Sequence, residues 1–238
     1  MWTFNVTRAL LQQGGLEVVP KQVPQNDQGM IDAAHEVIQN GPDNTVAVTK
    51  SHSRVHPGVP YSRFITPHRD PRDAMVSFMH FMGCDFARGL LAAQEMTGIV
   101  DHYRGFLPNI ILHLDYSTIT DQPREAIATI AQFLGLTPGK KAIAEIENRF
   151  QKKKVADLFH QTEIGVEERI ERGEKIDQQE LTANTDKTVR AFDLETGFQS
   201  GHVSDNQPGD WQRILSSEQQ AQLQEHLGEW LGKNGYQN

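Results

Sequence analysis

Cysteine is almost missing from this sequence. Cys84 stands alone, so no disulfide can form within the chain. That usage fits a reducing, cytoplasmic setting. Long apolar runs are missing as well. None reaches the roughly 18–20 residues that span a bilayer, and no charged-then-apolar leader opens the chain. The reading is therefore of a chain without a transmembrane segment. Positive charge is in deficit, with 23 Lys and Arg against 31 Asp and Glu and a net charge of −8. An extended nucleic-acid surface needs a basic footprint, so no nucleic-acid partner is expected. A small anionic ligand needs only a few local cations and backbone N–H groups at a helix start, and it stays open. The ten histidines are scattered without ligand spacing and imply no metal site. Internal repeats and low-complexity tracts are absent too. What remains is 238 residues, enough for one domain spanning 1–238.

The hydrophobic pattern divides this domain into alternating strands and helices. Trp2, Val6, Ala9 and Leu10 recur at helical spacing and predict a helix from about Thr3 to Gln13, ended by Gly14-Gly15. Thr45 to Thr49 is β-branched and reads as a buried strand, and Arg63 to Thr66 as a second. Asp70-Pro71 marks a helix start, with Asp as N-cap and Pro at the first helical position. Met75, Phe78, Met79 and Met82 form its apolar stripe, and helical pattern continues, with interruptions, to about Tyr103. Asn109 to Leu114 is a third strand. Pro123 to Leu134 is an amphipathic helix closed by Gly135, and shorter helices follow between Lys140 and Phe159. Residues 161–208 turn polar and acidic, and read as a lid or a substrate-loop excursion. A last helix starts at Ser216 or Ser217, with a capping box through Gln219 or Gln220. The expected fold class is α/β, a mostly parallel central sheet flanked by helices. An open sheet edge would favour pairing into a homo-oligomer.

In parallel sheets ligands bind at the carboxyl ends of the strands, and two polar clusters fall there. Lys50-Ser51-His52 follows the first recognised strand. His68-Arg69-Asp70-Pro71-Arg72-Asp73 follows the second. A His titrates near working pH and suits general-base work, although a His after a strand is ordinarily just a loop residue. An Arg fork matches phosphate oxygens, although a charged, well-capped helix start needs no ligand to explain it.

Phe64 to Phe78, running through Arg69-Asp70-Pro71-Arg72-Asp73 to Ser77, resembles the 3′-phosphate-binding segment of the sulfotransferases that use 3′-phosphoadenylyl sulfate (PAPS). Thr49-Lys50-Ser51-His52 resembles their K-x-H element. His113-Leu114-Asp115-Tyr116, Pro123 and the Phe133-Leu134-Gly135 ending resemble their third block, and Gly209-Asp210-Trp211 resembles their G-D-W element. These blocks occur in the family's order across nearly the whole chain. The resemblance implies a P-loop NTPase-like sulfotransferase fold, with PAPS as cofactor and adenosine 3′,5′-bisphosphate as product. It implies that Arg69 and Ser77 hold the 3′-phosphate, that Tyr116 lies beside the cofactor, and that Gly209 offers a backbone contact. His52 would be the general base, with His56 as the rival histidine, and Lys50 would contact the transferring group. Trp2 would either face the adenine ring or simply pack beneath the sheet.

Some family features are missing. Ser117-Thr118 replaces the usual Glu-Asp after the Tyr. Ser204-Asp205-Asn206 stands where the family carries a basic clamp. Met1 stands where a Thr of the phosphosulfate loop K/R-S-G-S/T-T-W is expected, and the cation, the Gly and the preceding strand of that loop do not appear. The expectation is thus an N-terminally truncated sulfotransferase domain. It would move a sulfuryl group to a hydroxyl or amine of a small-molecule, lipid or sugar acceptor. A weakly active or non-catalytic remnant is one alternative. A P-loop-like small-molecule kinase is another, although no G-x-x-x-x-G-K-[ST] occurs.

Overall fold

The computed structural model describes residues 1–54, 59–183, 189–199 and 206–236. Helix α1, Trp2–Gln13, has apolar residues on two faces. Val6, Ala9 and Leu10 turn to one cluster, while Phe4 and Leu11 turn to another. A helix clasped on both sides is buried along its length, and every residue from Thr3 to Leu11 is buried. Beyond Gly14 and Gly15 the chain enters β1 (Glu17–Val19) and then α2 (Asp27–Asn40), two elements the sequence pattern did not announce. Asn26 caps α2 by accepting from the Gly29 N–H, and Met30 and Ala34 bury one turn apart. Strand β2, Thr45–Ala47, pairs in parallel with β1. It is two residues shorter than the expected Thr45–Thr49.

Strand β3 covers Phe64–His68 and β4 covers Ile111–Asp115. They pair in parallel with Phe64 opposite Ile111 and His68 opposite Asp115. Each runs one or two residues further than its apolar core suggested. Between them lie α3 (Pro71–Met82) and α4 (Phe86–Arg104). The Asp70 carboxylate caps α3 by accepting from the Arg72 N–H, with Pro71 at the first position as expected. Gly83 ends α3 at φ 59°, a left-handed conformation that side chains with a Cβ disfavour. Asp85 then caps α4. This break is the interruption visible in the apolar pattern.

After β4 come α5 (Tyr116–Asp121), α6 (Pro123–Phe133), α7 (Lys140–Arg149) and α8 (Lys152–Glu171). The last of these corrects the reading of 161–208 as a continuous excursion, because α8 extends to Glu171. Val155, Phe159 and Val166 are buried on one stripe, and the polar residues that suggested a loop occupy the rest of the helix surface. The chain then forms a short antiparallel pair, β5 (Leu181–Ala183) with β6 (Val189–Ala191). Finally α9 (Trp211–Ile214) leads to α10 (Ser217–Lys233), whose capping box joins Ser216 and Gln219.

Three buried clusters hold these elements. One joins α1 to α6, α7 and α8 through Val6, Leu10, Ile127, Ile130, Ile146 and Phe159. Another joins α3 and α4 to α9 and α10, where Leu223, Leu227 and Leu231 recur every four residues. The third packs β1, β2 and α2 against the other face of α1. Among the described residues the four parallel strands hydrogen-bond as two pairs, not as one continuous central sheet. At three to five residues each, they are short for a wide ladder. No helix among the described residues is long and apolar enough to cross a membrane.

Candidate active site

The parallel register of β3 and β4 sets one cluster of candidate residues. His68 and Asp115 are paired at the carboxyl ends, so the residues that follow them, Arg69 and Tyr116, emerge side by side. The Arg69 guanidinium lies 5.1 Å from the centroid of the Tyr116 ring. Its Nη2 donates to the Asp73 carbonyl and, at 2.7 Å, to the Ser77 hydroxyl one helical turn beyond. Three residues separated in sequence thus meet. The Arg69 guanidinium meets a carbonyl, a hydroxyl and a ring face, and its charge also acts on the Asp73 carboxylate. Its planar fork suits phosphate oxygens.

Asp73 ties this cluster to the end of the chain. Its carboxylate accepts from the Gly209 N–H at 2.9 and 3.1 Å and from the Trp211 N–H at 3.5 Å. The Arg72 guanidinium, paired with Asp70 at 2.7 Å, stacks 4.2 Å from the Trp211 ring centroid. Gly209 has φ +90°, which restricts the position to glycine. Its N–H is already used by Asp73, so the proposed backbone contact to a cofactor would have to come from elsewhere in the turn. Burial pushes the Asp73 pKa above its ordinary 3.8, against the pull of the Gly209 N–H. Removing the carboxylate would strand two backbone donors. Asp73→Ala should therefore cost about 1–3 kcal/mol of stability, measured by urea unfolding. An unchanged midpoint would mean that water replaces the carboxylate at no cost.

A second cluster follows β2. Lys50 is half-buried, and burial lowers its pKa while the Asp27 carboxylate acts against that. His52 reaches solvent on one side. Burial of its other side, followed by the Lys50 charge, pushes its pKa from 6.5 to about 4, and Asp27 opposes the shift. Contact with water tempers the depression, but its direction gives a neutral imidazole at neutral pH, the form that can accept a proton. Beside Lys50 lies a cavity of about 280 Å³ walled by Asp27, Met30, Tyr61, Phe64 and Tyr103.

Trp2 is half-buried and packs against the α1–α6 cluster. His56, Ser204 and Asp205 lie outside the described residues. Asp27 and Asp73 were not singled out from sequence. Asp73 sat in the quoted run without a role, and Asp27 follows an N-cap Asn whose helix went unread. The i, i+4 pair Met30 and Ala34 was the signal for that helix.

These features define an α/β protein in which an arginine, a serine hydroxyl and a tyrosine ring gather at the ends of β3 and β4, with a lysine and a histidine after β2. The chain belongs to the sulfotransferase domain family, whose model matches residues 31–235. Among solved structures it is similar to a mouse sulfotransferase, SULT7A1, complexed with PAP. That likeness has a TM-score of 0.61 and 14% identity, and covers 97% of this chain and 78% of that one. It is also similar to retinol dehydratase in complex with androsterone and the inactive cofactor PAP, with a TM-score of 0.52 and 19% identity, over 81% of this chain and 54% of that one. A retinol dehydratase complex with retinol and PAP gives a TM-score of 0.51 and 18% identity over the same shares. A comparison with curated protein sequences returned no match.

Proposed function

We propose that this chain is a PAPS-dependent sulfotransferase that moves a sulfuryl group onto a hydroxyl or amine of a small acceptor. The observation that carries the reading is the Arg69 guanidinium, bonded to the Ser77 hydroxyl and stacked by Tyr116. PAPS supplies the sulfuryl group and leaves as adenosine 3′,5′-bisphosphate. Arg69 and Ser77 grip the 3′-phosphate, and Tyr116 flanks the nucleotide. His52 takes the acceptor's proton as its oxygen or nitrogen bonds to sulfur. Lys50 neutralises charge gathering on the transferring group. As in phosphoryl transfer, positioning and charge stabilisation supply most of the rate.

The cavity beside Lys50 supports a small, planar acceptor. Its volume of about 280 Å³ lies at the low end for ligand pockets. Its aromatic walls are fixed by ring contacts, with Phe64 5.5 Å from Tyr61 and 5.8 Å from Tyr103. Incubation with radiosulfur-labelled PAPS and a panel of phenols, alcohols and amines is the test. Labelled product is expected, with single-ring phenols favoured over bulky acceptors. If no member of the panel is labelled by a sample that binds adenosine 3′,5′-bisphosphate, catalysis is overturned and a binding protein remains.

A further inference from the structure

The two neighbours of His52 in the chain are held by one atom. Asp27 heads α2, and its Oδ2 accepts from the Ser51 hydroxyl at 3.1 Å and from the Ser53 hydroxyl at 3.3 Å. The two hydroxyls lie 2.8 Å apart, and the Ser53 N–H donates to the Ser51 hydroxyl at 3.0 Å. From α4, the Tyr103 hydroxyl donates to the Ser53 carbonyl at 3.2 Å. His52 is thereby carried on a short arch whose two feet rest on a single carboxylate. A general base must be held within a fraction of an ångström of its productive position, and a loop that follows a three-residue strand has little stiffness of its own.

We infer that Asp27 is the positioning residue for His52, pinning its loop to the start of α2 and setting a negative charge against the Lys50 ammonium. The inference rests on the reading of His52 as the base. An Asp in the first turn of a helix is favourable without any such role, but that preference does not account for two serines converging on its oxygen from another segment. The charged or titratable groups that act on His52 are Lys50 from its own segment, Asp27 from α2 and the Met1 amino group at the start of α1. Burial lowers the pKa of that amine to about 5, so it is largely neutral at pH 7. Lys50 and Asp27 are then the opposed charges. Lys50 makes His52 less basic and Asp27 makes it more basic.

Two variants separate anchoring from charge. Asp27→Asn removes the charge. The double variant Ser51→Ala with Ser53→Ala removes both hydroxyl feet and leaves the charge in place. The readouts are the NMR titration of the His52 ring, turnover, and affinity for adenosine 3′,5′-bisphosphate. Asp27→Asn should move the His52 titration down by roughly half a unit and cut turnover about 10- to 100-fold, with bisphosphate affinity retained. The serine double variant should lose turnover while His52 titrates as before. If Asp27→Asn does not fold, Asp27→Glu replaces it, and restored titration and turnover there support the inference. His52→Ala is run in parallel. Wild-type turnover in His52→Ala would overturn the base assignment itself. A dead His52→Ala beside an Asp27→Asn with unaltered titration and turnover would overturn only the role given to Asp27. The NMR arm decides between charge and no charge even where turnover is not measured.

Discussion

Replacing His52 by Ala should lower sulfuryl transfer by about 10²- to 10⁴-fold, the usual contribution of a positioned general base, while adenosine 3′,5′-bisphosphate binds as before. The separation follows from the geometry. His52 follows β2 together with Lys50 and feels Asp27 at the head of α2, whereas Arg69, Ser77 and Tyr116 meet at the ends of β3 and β4. Equal loss of turnover and of nucleotide binding would remove His52 from the role of base. The pH profile gives the same role a second signature. The active imidazole is the neutral form, and burial and Lys50 push its pKa down from 6.5 toward about 4, so kcat/KM should hold through neutrality and fall only in the acid range below 6.5. Anionic groups of a bound nucleotide stabilise the imidazolium, so the acid limb of kcat should lie at a higher pH than that of kcat/KM. Limbs in the opposite order would contradict a base that faces the anionic cofactor.

Replacing Arg69 by Ala should weaken adenosine 3′,5′-bisphosphate binding by about 10- to 100-fold, in line with about 1.5–3 kcal/mol for a hydrogen bond to a charged group. Adenosine 5′-monophosphate has no 3′-phosphate and should bind the variant and the wild type equally. The ratio of the two affinities, measured by calorimetry, is therefore the informative quantity. Arg69→Lys should recover only part of the loss. An ammonium keeps the charge, but it cannot reproduce a planar fork that reaches Ser77 while stacking on Tyr116. A parallel drop for both nucleotides would assign Arg69 to general folding of the loop instead.

The residues of this candidate site came from a family resemblance, and the fold shows which of them lie together. Arg69, Ser77 and Tyr116 were singled out by their resemblance to the sulfotransferase blocks, and each lies at a strand end or in the capped helix that follows one. Parallel pairing of β3 with β4 then completes the cluster without further information. Lys50 and His52 came from the same resemblance, at the end of β2. The contacts that tie these patterns together were not. Asp73 reaches Gly209 and Trp211 across more than 130 residues, and Asp27 reaches Ser51 and Ser53 from a helix that sequence periodicity had not revealed. Such carboxylates act through backbone amides and hydroxyls, which leave no pattern in the sequence. The α8 region shows the converse. Its stripe of Val155, Phe159 and Val166 is sparse, so a largely polar helix surface was read as a loop. Strand β1 is three residues long, too short for any periodicity to show.

Thermal unfolding with adenosine 3′,5′-bisphosphate, against adenosine 5′-monophosphate as control, tests the cofactor assignment most directly. At a concentration about 100 times the dissociation constant, binding should add about 2.7 kcal/mol. For a chain of this size that is a rise in Tm of roughly 5–10 °C. The predicted result is that rise with the bisphosphate and a clearly smaller one with the monophosphate. No shift with the bisphosphate in a folded sample, or equal shifts with both nucleotides, would contradict a 3′-phosphate site built on Arg69 and Ser77.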